Sequence, residues 1–569
     1  MYLEKIRDSE FWKKVRTDPA YRFMVEELLE DYETYCQGPI PDISYDAFME
    51  YHRTGSRALF EWEYYFPRRK RLKTCALLSM IYPDNEEYFS NLCNTIWAIC
   101  NEYCWCLPNH DATSETVYCD DFIDLFAAET GYALSEIKYM LGHRFSSILN
   151  QRISRALDHR IIQSFIRGAY GNQGAYAWER FRSNWAAVCA AGVAATFIYE
   201  RPELLSLVQP RIDAAMGSFL ESYQDDGVCQ EGFDYWGYGF GFFACYAQLM
   251  LEYSGGKVNL FENEKVKKIA LFPNCVFLSG NALVSFSDGG RMGEIYLGVA
   301  ELLAHHYGDI FAALPESRTT SDHCARWCVH LAALVFYDPR RKMGQPQADC
   351  SLFYEKTGWF VRKNAAYGFA VKAGHNAEPH NHNDVGSFIL ATHGEQVLVD
   401  LGSGEYTRAY FESDTRYTIL CNRSLGHSVP FPDGMEQQEG FRYRGTMEYD
   451  GERVLLDLTH AYPANRVRSI KRTFSFTDAG FVLTDTYEYH EPCPVTERFV
   501  SLKEPALSGN TVTVGETVLT FDPGWQCTVS MDVHVRHDAA GTEPVWLIDF
   551  TPLEEGAGVF SLNVDTGSR

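Results

Sequence analysis

The chain has 569 residues, more than a single hydrophobic core usually serves, so two or three domains are expected. Its formal net charge of −25 argues against nucleic acid as a main partner, because neutralising phosphate needs a basic field. The first eight residues carry charges where a secretory signal needs an apolar core, and no later window reaches the apolar length of a membrane span; the sequence therefore reads as cytoplasmic, with no membrane partner.

Aromatic residues make up 15% of the chain, a content that suits stacking on sugar rings and equally suits a large aromatic core. The 17 cysteines are odd in number and scattered. Neither Cys104-Trp105-Cys106 nor the Cys324 and Cys328 pair has the spacing of a structural zinc knuckle, so reduced, buried thiols are expected.

In chain order, the basic run Arg68-Arg69-Lys70-Arg71 with Lys73 comes first and reads as solvated surface, with cleft lining as the less favoured use. Apolar residues recurring at three and four predict helices over 122–141, 185–199, 204–223, 241–253, 295–306 and 324–336. Helices in such a series suggest hairpins arranged as a bundle, a solenoid or a closed ring. Past Tyr337 the period changes to two. Strands are predicted at 397–400, 453–458, 481–487, 511–514, 527–531 and 545–550, which is antiparallel β-sandwich material. The predicted division is a helical domain over 1–345 and a β domain over 346–569, with room for a small β subdomain after about residue 500.

The segment Pro379-His380-Asn381-His382-Asn383-Asp384-Val385-Gly386 carries the densest chemistry. In an extended chain His380, His382 and Asp384 would share one face. Neutral imidazole is a common zinc ligand and also the usual general base near neutral pH, so two of them invite a division of labour.

With Val399-Asp400-Leu401-Gly402-Ser403-Gly404 and Gly426-His427-Ser428-Val429-Pro430 behind it, this stretch resembles the β-domain signature of the heparinase II/III-like polysaccharide lyases. Arg182-Ser183-Asn184-Trp185 and the run from Glu231 to Gly239, with Tyr235 and Tyr238, are similar to that family's motifs in the helical half. The resemblance implies an N-terminal (α/α) toroid followed by a C-terminal antiparallel β-sandwich, with the site between them. It implies β-elimination at a uronic acid: Asn184 holds the carboxylate, Tyr235 and His380 exchange protons with C5 and the departing oxygen, and His382, Asp400 and His427 hold a divalent metal, expected to be Zn²⁺ in a structural role. Strand alternation nominates Asp384 as third ligand instead, or as the group that orients an imidazole. Tyr238 remains an alternative catalyst, and Asn184 could be a helix N-cap.

Trp185 stands where some alginate-active members carry histidine, which favours an Asn, Tyr and His set. His110, Arg182, Tyr238, Arg416 and Glu378 are softer candidates for substrate contact. The expected partner is an acidic oligosaccharide, with heparan, hyaluronan or chondroitin types ahead of alginate and with a homo-oligomer allowed. A uronyl C5-epimerase and a non-catalytic carbohydrate binder are the competing readings.

Overall fold

The computed structural model describes residues 2–110, 119–168, 176–315, 324–345, 349–537 and 541–567. Helices run as far as Phe336 and strands take over at Cys350, where the hydrophobic period changes. The six predicted helices are present as Leu125–Leu141, Asn184–Glu200, Leu205–Leu220, Gly241–Tyr253, Leu297–Tyr307 and Trp327–Phe336. Asn184–Glu200 is alanine-rich and buried on nearly every side, as expected of a helix without a polar face, and it packs along Leu125–Leu141. Asp124 caps the latter by accepting the Ala127 N–H at 2.7 Å. No helix among the described residues is long and apolar enough to cross a membrane.

The basic run departs from expectation. It lies in the helix Phe66–Ile81, and Arg68, Arg69, Arg71 and Lys73 are buried. Arg68 and Arg69 meet Glu102 at 2.9 and 2.8 Å, and Lys73 meets Asp31 at 2.5 Å. Local composition suggested a solvated face, whereas long-range carboxylates draw these cations inside, which is how buried charges are tolerated.

All strand pairings among the described residues are antiparallel, and the predicted strands are recovered within Glu395–Leu398, Arg453–Asp457, Gly480–Tyr489, Thr511–Val514, Trp525–Val535 and Thr542–Pro552. They form sheets of nine, five and four strands, and a two-stranded sheet pairs Phe277–Ser279 with Ala282–Leu283 in the helical half. The five-stranded sheet joins the two halves. Trp359, Val361, Ala370, Ile389 and Ala391 belong to the core of the helical half, while the alternate residues Phe360, Phe369, Val371, Phe388 and Leu390 face the aromatic core that contains Phe474 and Phe481. Both faces are buried, so these strands read as continuous apolar runs. After residue 500, Ala506–Phe521 extends the nine-stranded sheet and 525–552 supplies the four-stranded one; these strands belong to the main sheets and form no separate subdomain.

Candidate active site

Three chain segments meet at the seam between the halves, and glycines let their backbones touch. Gly232 has φ +105°, and a Cβ there would lie 2.7 Å from Gly289 Cα; Gly402 has φ +64°, and a Cβ there would lie 2.1 Å from the Gly289 carbonyl. Only glycine combines these angles with so close an approach. The contacts bring together the segment carrying Glu231 and Tyr235, the turn carrying Asp288, and the strand end carrying Asp400.

Asp288 is fully buried and is the hub of the site. His380 Nδ1 donates to its Oδ2 at 2.5 Å and His382 Nε2 donates to its Oδ1 at 3.0 Å. The Tyr406 hydroxyl donates to Oδ2 at 3.2 Å, Tyr410 donates to Oδ1, and Arg416 stands 3.5 Å away. Burial opposes its charge, but His380, His382 and Arg416 together outweigh that and hold Asp288 well below the usual carboxylate range. In return, Asp288 and Glu231 raise His380 against the effect of burial. His382 goes the other way: burial lowers it and favours the neutral ring.

Tyr235 closes the group from the helical side. Its ring centroid lies 4.3 Å from that of His380, and its hydroxyl is 2.6 Å from that of Tyr406, which continues to Asp288. Burial and the Asp288 charge raise Tyr235 well above an ordinary phenol, so it stays protonated at neutral pH. Asn184 is the first residue of its helix and the cap position belongs to Ser183, so the capping role is not realised. The Asn184 carboxamide is buried without a hydrogen-bond partner among the described residues, while its backbone N–H donates to the Glu231 carboxyl.

The alternation argument for 380–384 is corrected, because the segment is not a strand. Residues 379–386 form turns between Gly374–Asn376 and Phe388–Thr392, and His380 adopts φ +55°. His380 and His382 nonetheless converge, through their common partner Asp288.

The structure brings Asp384, the alternative ligand, to the metal candidates. The ligand atoms that lie within 4.8 Å of one another belong to His382, Asp384 and His427, all buried. His427 Nε2 meets the Cys421 carbonyl at 2.8 Å, so Nδ1 is the ring nitrogen left for an ion, and Asp400 lies 3.0 Å from that nitrogen and stays a candidate ligand beside Asp384. Lys372 Nζ, 2.9 Å from Asp384 and 3.1 Å from Glu378, holds Asp384 in place. His382 Nδ1 and Asp384 Oδ2 are buried with no hydrogen-bond partner among the described residues. Orphaned atoms of this kind, in a set of two imidazoles and a carboxylate, fit a divalent cation.

The softer candidates separate clearly. His110 Nδ1 is 2.7 Å from Asp124, which makes it a partner of a helix cap, although its ring also meets Trp185 at 4.6 Å. Arg182 is exposed and pairs with Glu221 at 2.9 Å. Glu378 is spent on Lys372. Tyr238 donates to Glu129 and carries the Arg326 guanidinium 3.8 Å over its ring, so its hydroxyl is engaged by its own partner. A cavity of about 480 Å³ opens beside His380 and is lined by Asn381, Phe411, Arg416 and Tyr417.

Sequence reasoning missed Asp288, Tyr406 and Tyr410. The available signal for Asp288 was the pair Gly289-Gly290 behind it, together with its place in a β-turn region of an otherwise helical half.

A helical half, a stack of antiparallel sheets and an acid–base cluster in the seam define the class of an (α/α) toroid followed by a β-sandwich. Residues 346–428 match the family described as "Heparinase II/III-like, C-terminal". Solved structures share the whole architecture at low identity. Heparinase III aligns at 13% identity and TM-score 0.59, covering 100% of this chain and 92% of that one. Heparan sulfate lyase HepC from Pedobacter heparinus aligns at 12% and 0.57, covering 100% and 88%. Streptomyces coelicolor A3 chondroitin AC lyase, solved in complex with chondroitin sulphate, aligns at 9% and 0.57, covering 100% and 83%. No curated protein matches the sequence.

Proposed function

We propose that this protein is a polysaccharide lyase that cleaves uronate-containing oligosaccharides by β-elimination. The C5 proton is removed, its electron pair becomes the C4–C5 double bond, and the C4–O4 bond breaks as O4 takes a proton. The observation that carries the reading is the contact of Tyr235 with His380 across the seam, beside an Asn184 carboxamide with no partner of its own.

Each group answers a need of that chemistry. The Asn184 amide is free to bind the uronate carboxylate and to stabilise the charge that spreads onto it as C5 loses its proton. Tyr235, kept protonated, delivers a proton to the departing oxygen and is resupplied through Tyr406. His380 has one nitrogen fixed by Asp288, which leaves Nε2 to accept the C5 proton when the ring is neutral.

His382, Asp384 and His427 would hold the metal, proposed as Zn²⁺, with the Cys421 carbonyl orienting His427 through Nε2 and Asp400 beside its Nδ1. When bound, the ion supplies fixed positive charge that braces the wall carrying His380. The absence of a histidine after Asn184, and the names of the structures with the same architecture, support glycosaminoglycan-type acids ahead of alginate.

The test is ultraviolet absorbance with heparan-, hyaluronan-, chondroitin- and alginate-type oligosaccharides, with product mass spectrometry alongside. Shortened products carrying an absorbing double bond support the lyase. Uncleaved substrate that takes up solvent deuterium at C5 would replace it with a C5-epimerase, and no change in any of the sugars would overturn both.

A further inference from the structure

Phe411 leaves 50% of its surface exposed in the wall of the cavity beside His380, and the scheme above gives it no part. The short helix Arg408–Phe411 starts where the two halves touch: Thr407 pairs with Ser56, and the Arg408 N–H donates to the Gly55 carbonyl at 3.3 Å. From there Tyr410 turns inward, with its hydroxyl on Asp288, and Phe411 turns outward. Its ring meets Tyr406 edge-on at 4.9 Å and Tyr410 at 5.4 Å, and the Tyr406 hydroxyl in turn meets that of Tyr235. A single exposed phenylalanine is ordinary on a surface. This one shares a cavity wall with His380 and stands one ring away from Tyr235, within reach of the sugar that neighbours the reacting one.

The charges around this cavity are unequal. Glu378 is held by Lys372, and the Arg416 guanidinium is committed to the Asn381 and Tyr410 carbonyls, at 3.0 Å each. Glu439, in the same wall, is exposed and forms no ion pair among the described residues. The result is an apolar face beside an uncompensated carboxylate, on a chain of net charge −25. We propose that this cavity is the subsite for the sugar next to the uronate, with Phe411 as its stacking platform and Glu439 selecting an uncharged ring. The inference rests on reading the same site as one that takes uronate-containing oligosaccharides. The C–H face of a hexosamine ring laid on Phe411 removes apolar surface of both from water. A sulfate or a second carboxylate in that place meets Glu439, with no uncommitted cation among the described lining residues to balance it. The ligand class is therefore an unsulfated chain of alternating uronate and hexosamine, and alginate, in which every neighbour is itself a uronate, is disfavoured.

The probes are tetrasaccharides of the heparan and chondroitin backbones, each with and without sulfate, followed by ultraviolet absorbance for cleavage and by titration calorimetry for binding. Phe411→Ala should raise KM for the unsulfated forms by about tenfold while kcat changes by less than about threefold. Phe411→Trp should restore KM. Phe411→Leu, which keeps bulk against Tyr406 and Tyr410 but offers no flat face, should stay impaired. The wild type should favour unsulfated over sulfated forms by about tenfold in kcat/KM at low salt, and Glu439→Gln should shrink that preference by about three- to tenfold, an effect that fades as salt is added. Wild-type KM in Phe411→Ala, full recovery in Phe411→Leu, or a preference unchanged in Glu439→Gln would overturn the proposal. If a tetrasaccharide binds uncleaved and Phe411→Ala weakens that binding by about tenfold, the lyase reading fails and the subsite stands. Tetrasaccharides that neither bind nor react would overturn both.

Discussion

Replacing Glu231 by glutamine should stabilise the folded protein above neutral pH and change little in acid. The carboxyl moves from the usual 4.5 to about 7 on folding, mainly through burial. At about 1.4 kcal/mol per pKa unit, the shift sets an upper bound of about 3 kcal/mol, and about 1–3 kcal/mol is expected once neighbouring groups relax. The direction follows from the raised value. Below the unfolded pKa both states hold the proton and there is no penalty. As pH rises towards 7 the unfolded chain releases its proton while the folded one retains it, so native stability falls until the folded group also ionises. Glutamine cannot ionise, and its carbonyl can still accept the Asn184 N–H, so the variant escapes this loss. Urea unfolding midpoints of the two proteins at about pH 5 and about pH 8 are the measurement, compared as differences because a chain of two domains need not unfold in one step. A difference that is the same at both pH values, or a variant that becomes the less stable one as pH rises, would refute the reasoning.

Tyr235→Phe should lower turnover by about 100-fold or more with an unchanged melting temperature, because among the described residues the phenol oxygen meets only Tyr406 and the ring packing remains; full activity in the absorbance assay would remove Tyr235 from the reaction. Asp384→Asn and His382→Ala should each lower the bound metal measured by elemental analysis of the purified protein, and Asp400→Asn should lower it less; the reverse order would restore Asp400 as the ligand. Arg472→Met should destabilise the β half by about 3–5 kcal/mol, since it strands Asp485 and Glu497, now 2.7 and 2.9 Å away, in the sheet core. Arg472 also donates to the Gly386 and Ser428 carbonyls, next to the loops of Asp384 and His427, so the same variant should weaken metal retention; unchanged denaturation and metal content would show that the cation is dispensable.

The elements were legible in the sequence because their periodicity is local. The helix Asn184–Glu200 and the strand Gly480–Tyr489 each carry their pattern within about a dozen residues, and burial merely realises it. The basic run misled for the opposite reason: Arg69 and Glu102 are 33 positions apart, and nothing local to Arg69 reveals that a carboxylate waits for it. The alternation of His380, His382 and Asp384 misled in another way, since the positive φ of His380 breaks the strand on which the argument stood. The convergence it predicted survives only because Asp288, 92 and 94 positions upstream, binds both rings.

That dependence explains which parts of the site could be read and which could not. Asn184, Tyr235, His380, His382 and His427 lie in compact motifs, whereas Asp288, Tyr406 and Tyr410 acquire meaning only when the toroid turn meets the β half. The glycine contacts show why the meeting is tight. Gly289 is touched from one side by the segment of Glu231 and Tyr235 and from the other by the strand end after Asp400, with no side chain between the backbones. The charge on Asp288 is stable there only because His380, His382 and Arg416, all from the β half, face it; without them it would be a buried carboxylate lacking its cationic partners. Conversely, His380 owes its raised basicity to Asp288 and Glu231 from the helical half. Each half holds the group that sets the protonation state of the other, so the acid–base set belongs to the interface and not to either domain alone.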